Sequence, residues 1–307
     1  MAAISAATVN ELRKMTGSGL MDCKKALQAC DGDMDKAVDY LREKGLAGAA
    51  KKADRVAAEG MAYATVVDGV GVVVEVNCET DFCAKSAPFV EFVKGIAHVV
   101  VDSNPADVDA LKKCPFPGTE LTVEGVLPEK VMSIGENLQI RRFVRFDDNT
   151  SVAYVHAGGK IGVLVNLAVE GGIDATQIGK DVAMQIAALN PRFWDKSDVT
   201  EAVLDEEKKI LVAQMDADPK MASKPTQVKE KIAAGKLNKF YEENCLLQQA
   251  FVKDGSMSVE QYMAAAAKEL GGKVRFVKAV RFEKGEGIEK KVEDFAAEVA
   301  AQMNMGK

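Results

Sequence analysis

The densest run of side chains able to do chemistry is Asn77-Cys78-Glu79-Thr80-Asp81-Phe82-Cys83, which follows a β-branched apolar run and precedes a helix beginning near Pro88. Loops between strands and helices are disproportionately functional, and this one sets a phenylalanine beside a carboxylate. That pairing suits recognition rather than bond-making. The ring is either tucked beneath its own helix or offered to a partner, and Asp81 either caps that helix or carries its charge to the same partner. Cys78 and Cys83 flank the loop, where a metal held by both still lacks two ligands. Cys23, Cys30, Cys114 and Cys245 are scattered, and no Cys-x-x-Cys occurs. Reduced, buried thiols are therefore expected.

Catalytic constellations are missing from the rest of the chain. His98 falls inside a helix and reads as a packed or edge residue, while His156 ends a strand before a glycine-rich turn, where it could meet a partner. No Gly-x-Ser-x-Gly, His-Glu-x-x-His or Walker-type run is present. Gly285-Glu286-Gly287 lacks the further Gly and the Lys-Ser/Thr of a phosphate loop. The residues point to a modular binding protein that makes and breaks no bonds, and they imply no cofactor and no metal.

The elements that position these groups follow from pattern. In the first 45 residues, Val9, Leu12 and Met15 share a helical face that ends at Gly17-Ser18-Gly19. Asp22 then caps a second helix, and Met34, Ala37, Val38 and Leu41 make a third ending at Gly45. So small a bundle is marginal alone and usually binds something. Leu20 and Met21 either present an apolar patch or cap the bundle core. The middle contains a duplication: laying Ala62-Tyr63 on Ala153-Tyr154 brings Gly71-Val72-Val73-Val74 onto Gly162-Val163-Leu164-Val165 without a gap. Each copy reads as a β-hairpin, a helix and a closing strand, Val144-Arg145-Phe146 in one and Val280-Arg281-Phe282 in the other. Position for position, the second copy has Val169-Glu170-Gly171-Gly172 where the first has its Phe loop, so it offers no aromatic.

The expected fold class is α+β, with a three-helix unit (residues 1–45), a helical linker (46–60), a first core subdomain (61–147) and a second (148–282). The second carries a helical hairpin inserted at about 195–238, and a C-terminal helical module (283–307) follows. A projecting hairpin packs on a partner or on a second copy of itself. Net charge is −6 with a pI near 5.3, which argues against nucleic acid as a direct partner. Lys24-Lys25, Lys51-Lys52 and Arg141-Arg142 read as solvated faces. No apolar run reaches the length of a membrane span, and no secretory signal opens the chain, so a cytoplasmic location is expected.

Six runs carry a resemblance: Glu11-Leu12-Arg13, Thr16-Gly17-x-Gly19, Met21 to Leu27, Asn77 to Phe82, Lys160 to Val165, and Gly285 to Lys290. In order along nearly the whole chain, they resemble bacterial elongation factor Ts, a family of nucleotide exchange factors for the GTPase elongation factor Tu. The resemblance implies a ubiquitin-associated-like first domain, a two-subdomain core, a helical hairpin and a C-terminal module. It implies that Phe82 wedges into the GTPase near its magnesium site, with Asp81 as the neighbouring acid and Thr80 and Cys83 completing the loop, Cys83 standing where Val is frequent. By the same resemblance, Arg13, Leu20 and Met21 touch the GTPase's nucleotide-binding domain. His156 lies on the face of the second subdomain, followed by Ala157 where Gly is usual. A homodimer or two-by-two complex through the hairpin is a further expectation. The competing expectation is a non-catalytic scaffold that binds protein through the N-terminal bundle alone.

Overall fold

Local capping sets the N-terminal bundle. The structure is a computed structural model describing residues 4–289. Helix α1 (Ala6–Thr16) starts where the Ser5 hydroxyl accepts the Thr8 N–H, and stops at Gly17, whose φ of +66° is a left-handed cap. Helix α2 (Leu20–Ala29) begins at Gly19, so Asp22 is not its cap; it lies in the first turn and pairs with Lys44 at 2.9 Å. Helix α3 (Met34–Lys52), capped by Asp33, runs through Gly45 instead of ending there. A Cβ at Gly45 would sit 3.6 Å from Met132 Sδ, an ordinary contact, so this buried glycine neither ends the helix nor is demanded by the packing. Val9, Leu12, Cys23, Ala26, Leu27, Ala37 and Leu41 form the bundle core, but Met15 is 61% exposed and lies outside it.

The first core subdomain is a three-stranded antiparallel sheet, β1 (Glu59–Val67), β2 (Val70–Cys78) and β3 (Gln139–Phe146), in the order β1-β2-β3. Asp68 and Gly69, both at positive φ, make the two-residue turn between β1 and β2. One face of the sheet packs on helices that intervene before β3: α4 (Asp81–Lys85), α5 (Ala87–Ser103), α6 (Val108–Lys112) and α7 (Val123–Ile134). The sequence pattern had not shown α6 and α7.

The duplication is structural as well as sequential. Strands β4 (Thr150–His156) and β5 (Ile161–Glu170) start at the positions equivalent to β1 and β2. Next come α8 (Thr176–Leu189), α9 (Glu201–Ala217), α10 (Thr226–Asn244), the short pair β6 (Ala250–Phe251) and β7 (Asp254–Ser258), α11 (Val259–Glu269) and β8 (Lys273–Glu283). The second sheet has the order β4-β5-β8. Val73 pairs with Val144 as Leu164 pairs with Val280, and the register shift after Glu75 recurs after Asn166. Arg145 pairs with Asp147 two residues on, as Arg281 pairs with Glu283.

The sheets meet face to face through Ala62, Ala64, Val73, Phe146, Leu164 and Phe282. Gly71 and Gly162, equivalent in the repeat, keep that contact close: a Cβ on Gly71 would lie 2.8 Å from Leu164 Cδ1, and one on Gly162 3.2 Å from Val73 Cγ2. Arg141 and Arg142 are not a solvated face. Both bind the fully buried Glu75, at 2.9 and 2.6 Å, and Arg142 stacks over Phe282. The same carboxylate accepts the Gly285 N–H, and Arg142 also holds Glu286, which ties the turn after β8 to the first sheet. The sequence-expected terminal helix falls outside the described residues from 290 onward.

Candidate recognition site

Phe82 is the most exposed large apolar side chain among the described residues, at 83%. The loop that carries it is nevertheless tightly fixed. Thr80, not Asp81, caps α4, its hydroxyl accepting the Cys83 N–H at 3.1 Å. Asp81 in the first turn takes a hydrogen bond from Lys85 at 2.7 Å, and this bond, with the lysine's charge, holds its carboxyl below its ordinary value. Of the two readings open for this ring, tucked or offered, the geometry is that of an offered one.

Glu136 anchors the loop from the turn between α7 and β3. Its Oε2 accepts the N–H groups of Glu79 (2.9 Å) and Thr80 (3.0 Å), and its Oε1 accepts the Thr80 hydroxyl (2.6 Å). In return Glu79 Oε1 accepts the Asn137 N–H at 2.7 Å. The Asn137 amide then donates to the carbonyls of Ala53 and Arg55, and Lys52 donates to Gly135 O at 2.6 Å. Loop, α7–β3 turn and the end of α3 thus form one hydrogen-bonded clasp. No sequence signal marked Glu136, because its partners lie 56 and 57 residues away.

Cys83, named with the loop, is buried and turned inward, so its side chain is not presented with Phe82. Its sulfur, that of Cys78 and a carboxylate oxygen of Glu136 lie within 4.8 Å of one another. These groups are already committed to each other and to the loop. The Cys78 thiol donates to Thr80 O at 3.2 Å, and its acidity is suppressed by hydrogen bonding with Cys83 and by burial. The cluster therefore reads as two buried sulfurs packed under a carboxylate whose oxygens are already taken by the loop.

A cleft of about 520 Å³ separates Phe82 from the N-terminal bundle, whose Thr16 and Gly17 form its opposite wall. Beyond that turn, Leu20 and Met21 are 46% and 60% exposed, and Arg13 is exposed on the last turn of α1. Met15, on the helical face of Val9 and Leu12 by periodicity, is exposed as well, at 61%. The bundle turn and the Phe loop therefore share one cleft.

His156 stands apart, exposed at the end of β4, with its Nδ1 2.9 Å from the Tyr154 hydroxyl. Ala157 follows at φ +47°, a conformation that glycine adopts without strain. Before β6, α9 and α10 pack against each other as successive helices. Lys229 is buried near the start of α10, paired with Asp216, while Ile210 and Val228 remain about half exposed. An open groove of about 800 Å³, lined by Val212, Ala213 and Ala234 among charged residues, runs between the two helices. No helix among the described residues is long and apolar enough to cross a membrane.

Residues 79–286 match the family model described as elongation factor TS. The chain is 48% identical over 302 residues to the elongation factor Ts of Syntrophotalea carbinolica, covering 97% of this chain and 98% of that protein. It is 49% identical over 309 residues to that of Trichlorobacter lovleyi, with the same coverage. The elongation factor Ts of Clostridium perfringens is 47% identical over 302 residues, again covering 97% and 98%.

Proposed function

The chain belongs to the elongation factor Ts family, and on that premise we propose that it binds the GTPase elongation factor Tu in its GDP state and speeds GDP release so that GTP can enter. It acts as an exchange factor in the cytoplasm, with no bond chemistry, cofactor or direct nucleic-acid contact of its own. The observation that carries this reading is Phe82, held almost fully exposed beside the ionised Asp81 on a loop fixed from beneath.

A GTPase holds GDP through phosphate, magnesium and loop contacts, so release requires those contacts to loosen. Phe82 inserts near the magnesium site, and Asp81 brings a negative charge to the metal's ligand shell, with Thr80 fixing both. One ring cannot supply all the energy. A thousandfold acceleration corresponds to about 4 kcal/mol, whereas burying a Phe yields ~1.5–3 kcal/mol. The remainder comes from Arg13, Leu20 and Met21 on the bundle and from His156 on the second subdomain. The division into residues 1–45, 46–60, 61–147, 148–282 and 283–307 is, on this reading, a division into contact modules, and the hairpin groove is the surface for a second copy.

Thermodynamic reciprocity gives the test. If the protein weakens GDP binding, GDP must weaken its binding to elongation factor Tu by the same factor. Titration calorimetry with nucleotide-free and GDP-loaded GTPase should show markedly tighter binding to the former, and equal affinities would reject exchange activity. The exposed Met15, Leu20 and Met21 of the bundle favour one competing reading, a protein-binding scaffold that works through the bundle alone. In that case removal of residues 1–54 abolishes all binding, whereas an exchange factor keeps its core contacts.

A further inference from the structure

We propose that Glu136 is a positioning residue for Phe82: it acts on exchange without touching the GTPase, by holding the loop in the shape that presents the ring. This rests on the reading of the Phe82 loop as the exchange element. Three donors of the loop converge on this one carboxylate, two backbone N–H groups and the Thr80 hydroxyl. That hydroxyl is also the acceptor that caps α4, so Glu136 orients the group that starts the helix bearing Phe82. A five-residue helix has too few internal bonds to hold its own shape. Without the anchor, Glu79 and Thr80 would turn their N–H groups to water, and an exposed ring would gain freedom that binding must then remove.

The position of Glu136 is itself determined. Helix α7 ends at Gly135, whose φ of +90° only glycine adopts easily, and whose carbonyl is held by Lys52 of α3. Asn137 on the other side is bonded to the segment leaving α3. The anchor is thus referenced to the N-terminal bundle as well as to the first sheet. The two walls of the Phe82 cleft are thereby held at a set spacing.

The test uses the full chain with Glu136→Gln, which keeps size and loses charge, and with Thr80→Val, which removes both one of the three donors and the cap of α4. Two readouts apply: amide hydrogen exchange of Glu79 and Thr80 in the free protein, and fluorescent GDP release from elongation factor Tu. Charge-assisted hydrogen bonds are roughly twice as strong as neutral ones. Glu136→Gln should therefore lower protection of both amides about tenfold and slow saturated GDP release by a similar factor. Thr80→Val, which loses the α4 cap together with one donor, should lower both at least as much. In a Phe82→Ala background, Glu136→Gln should change release by less than about twofold, because its effect passes through the ring. Unchanged amide protection, or an equal loss with and without Phe82, would overturn the proposal. If the unmodified protein fails to accelerate release, the exchange reading fails, and amide protection alone decides whether Glu136 holds the loop.

Discussion

Replacing Phe82 by alanine separates recognition from folding in one side chain. At 83% exposure the ring contributes almost nothing to the folded state, and surface changes of this kind fall within about 0.5 kcal/mol. Its value is realised only where a partner covers it, at ~1.5–3 kcal/mol for a buried Phe. At about 1.4 kcal/mol per tenfold, Phe82→Ala should slow maximal GDP release from elongation factor Tu by roughly 10- to 150-fold. The assay is stopped-flow displacement of a fluorescent GDP across a range of exchange-factor concentrations. A wedge that acts in the transition state should lower the saturating rate more than it raises the half-saturating concentration. The thermal midpoint of the free variant should match that of the parent. A saturating rate within twofold of the parent would refute the wedge. Complete loss of acceleration would refute the inference that the energy is spread over several modules.

Three further outcomes follow from the geometry. Ala157 is held at φ +47°, so Ala157→Gly should stabilise the protein by about 0.5–1 kcal/mol in urea unfolding. Glu75 is fully buried and binds Arg141, Arg142 and the Gly285 N–H, so Glu75→Ala should cost about 3 kcal/mol, at the low end for a broken buried pair because both arginines keep some solvent. A loss under about 1 kcal/mol would contradict that role. The Asp81 carboxyl is lowered by its Lys85 hydrogen bond from an ordinary 3.8. Its contribution is therefore complete above pH 3.8 and lost as pH falls through the lowered value, leaving the loop's charge constant near neutrality. Carbon-detected titration should show this, with Lys85→Met moving the Asp81 midpoint upward.

Much of the fold was legible because its signals are local or repeated. Asp68-Gly69 dictates a hairpin turn, and the repeat keeps its apolar positions in step because both copies bury the same strand faces against each other. The helices α9 and α10, too, are separated by Asp218-Pro219 and Lys224-Pro225, which break the helical pattern between them. What escaped depends on groups distant in the chain. Arg141 and Arg142 looked solvated because their acceptor, Glu75, lies across the sheet on β2. Periodicity put Met15 on the face of Val9 and Leu12, but its side chain is 61% exposed among the described residues. Gly45 resembled a terminator, since pattern cannot distinguish a cap from a glycine tolerated inside a helix. At the recognition loop, residue types disclosed Phe82 and Asp81 but not which way the ring points. That is decided by Thr80 as cap and Glu136 as anchor, and Glu136 follows a helix that carries Pro128 in its interior and is poorly marked by sequence.

The central claim is that this chain opens the nucleotide site of elongation factor Tu. It is tested most directly by the rate at which fluorescent GDP leaves that GTPase as the unmodified protein is added. The rate should rise with concentration and saturate about a thousandfold above the spontaneous one, the equivalent of about 4 kcal/mol. A rate that stays at the spontaneous value while the two proteins demonstrably bind would contradict it.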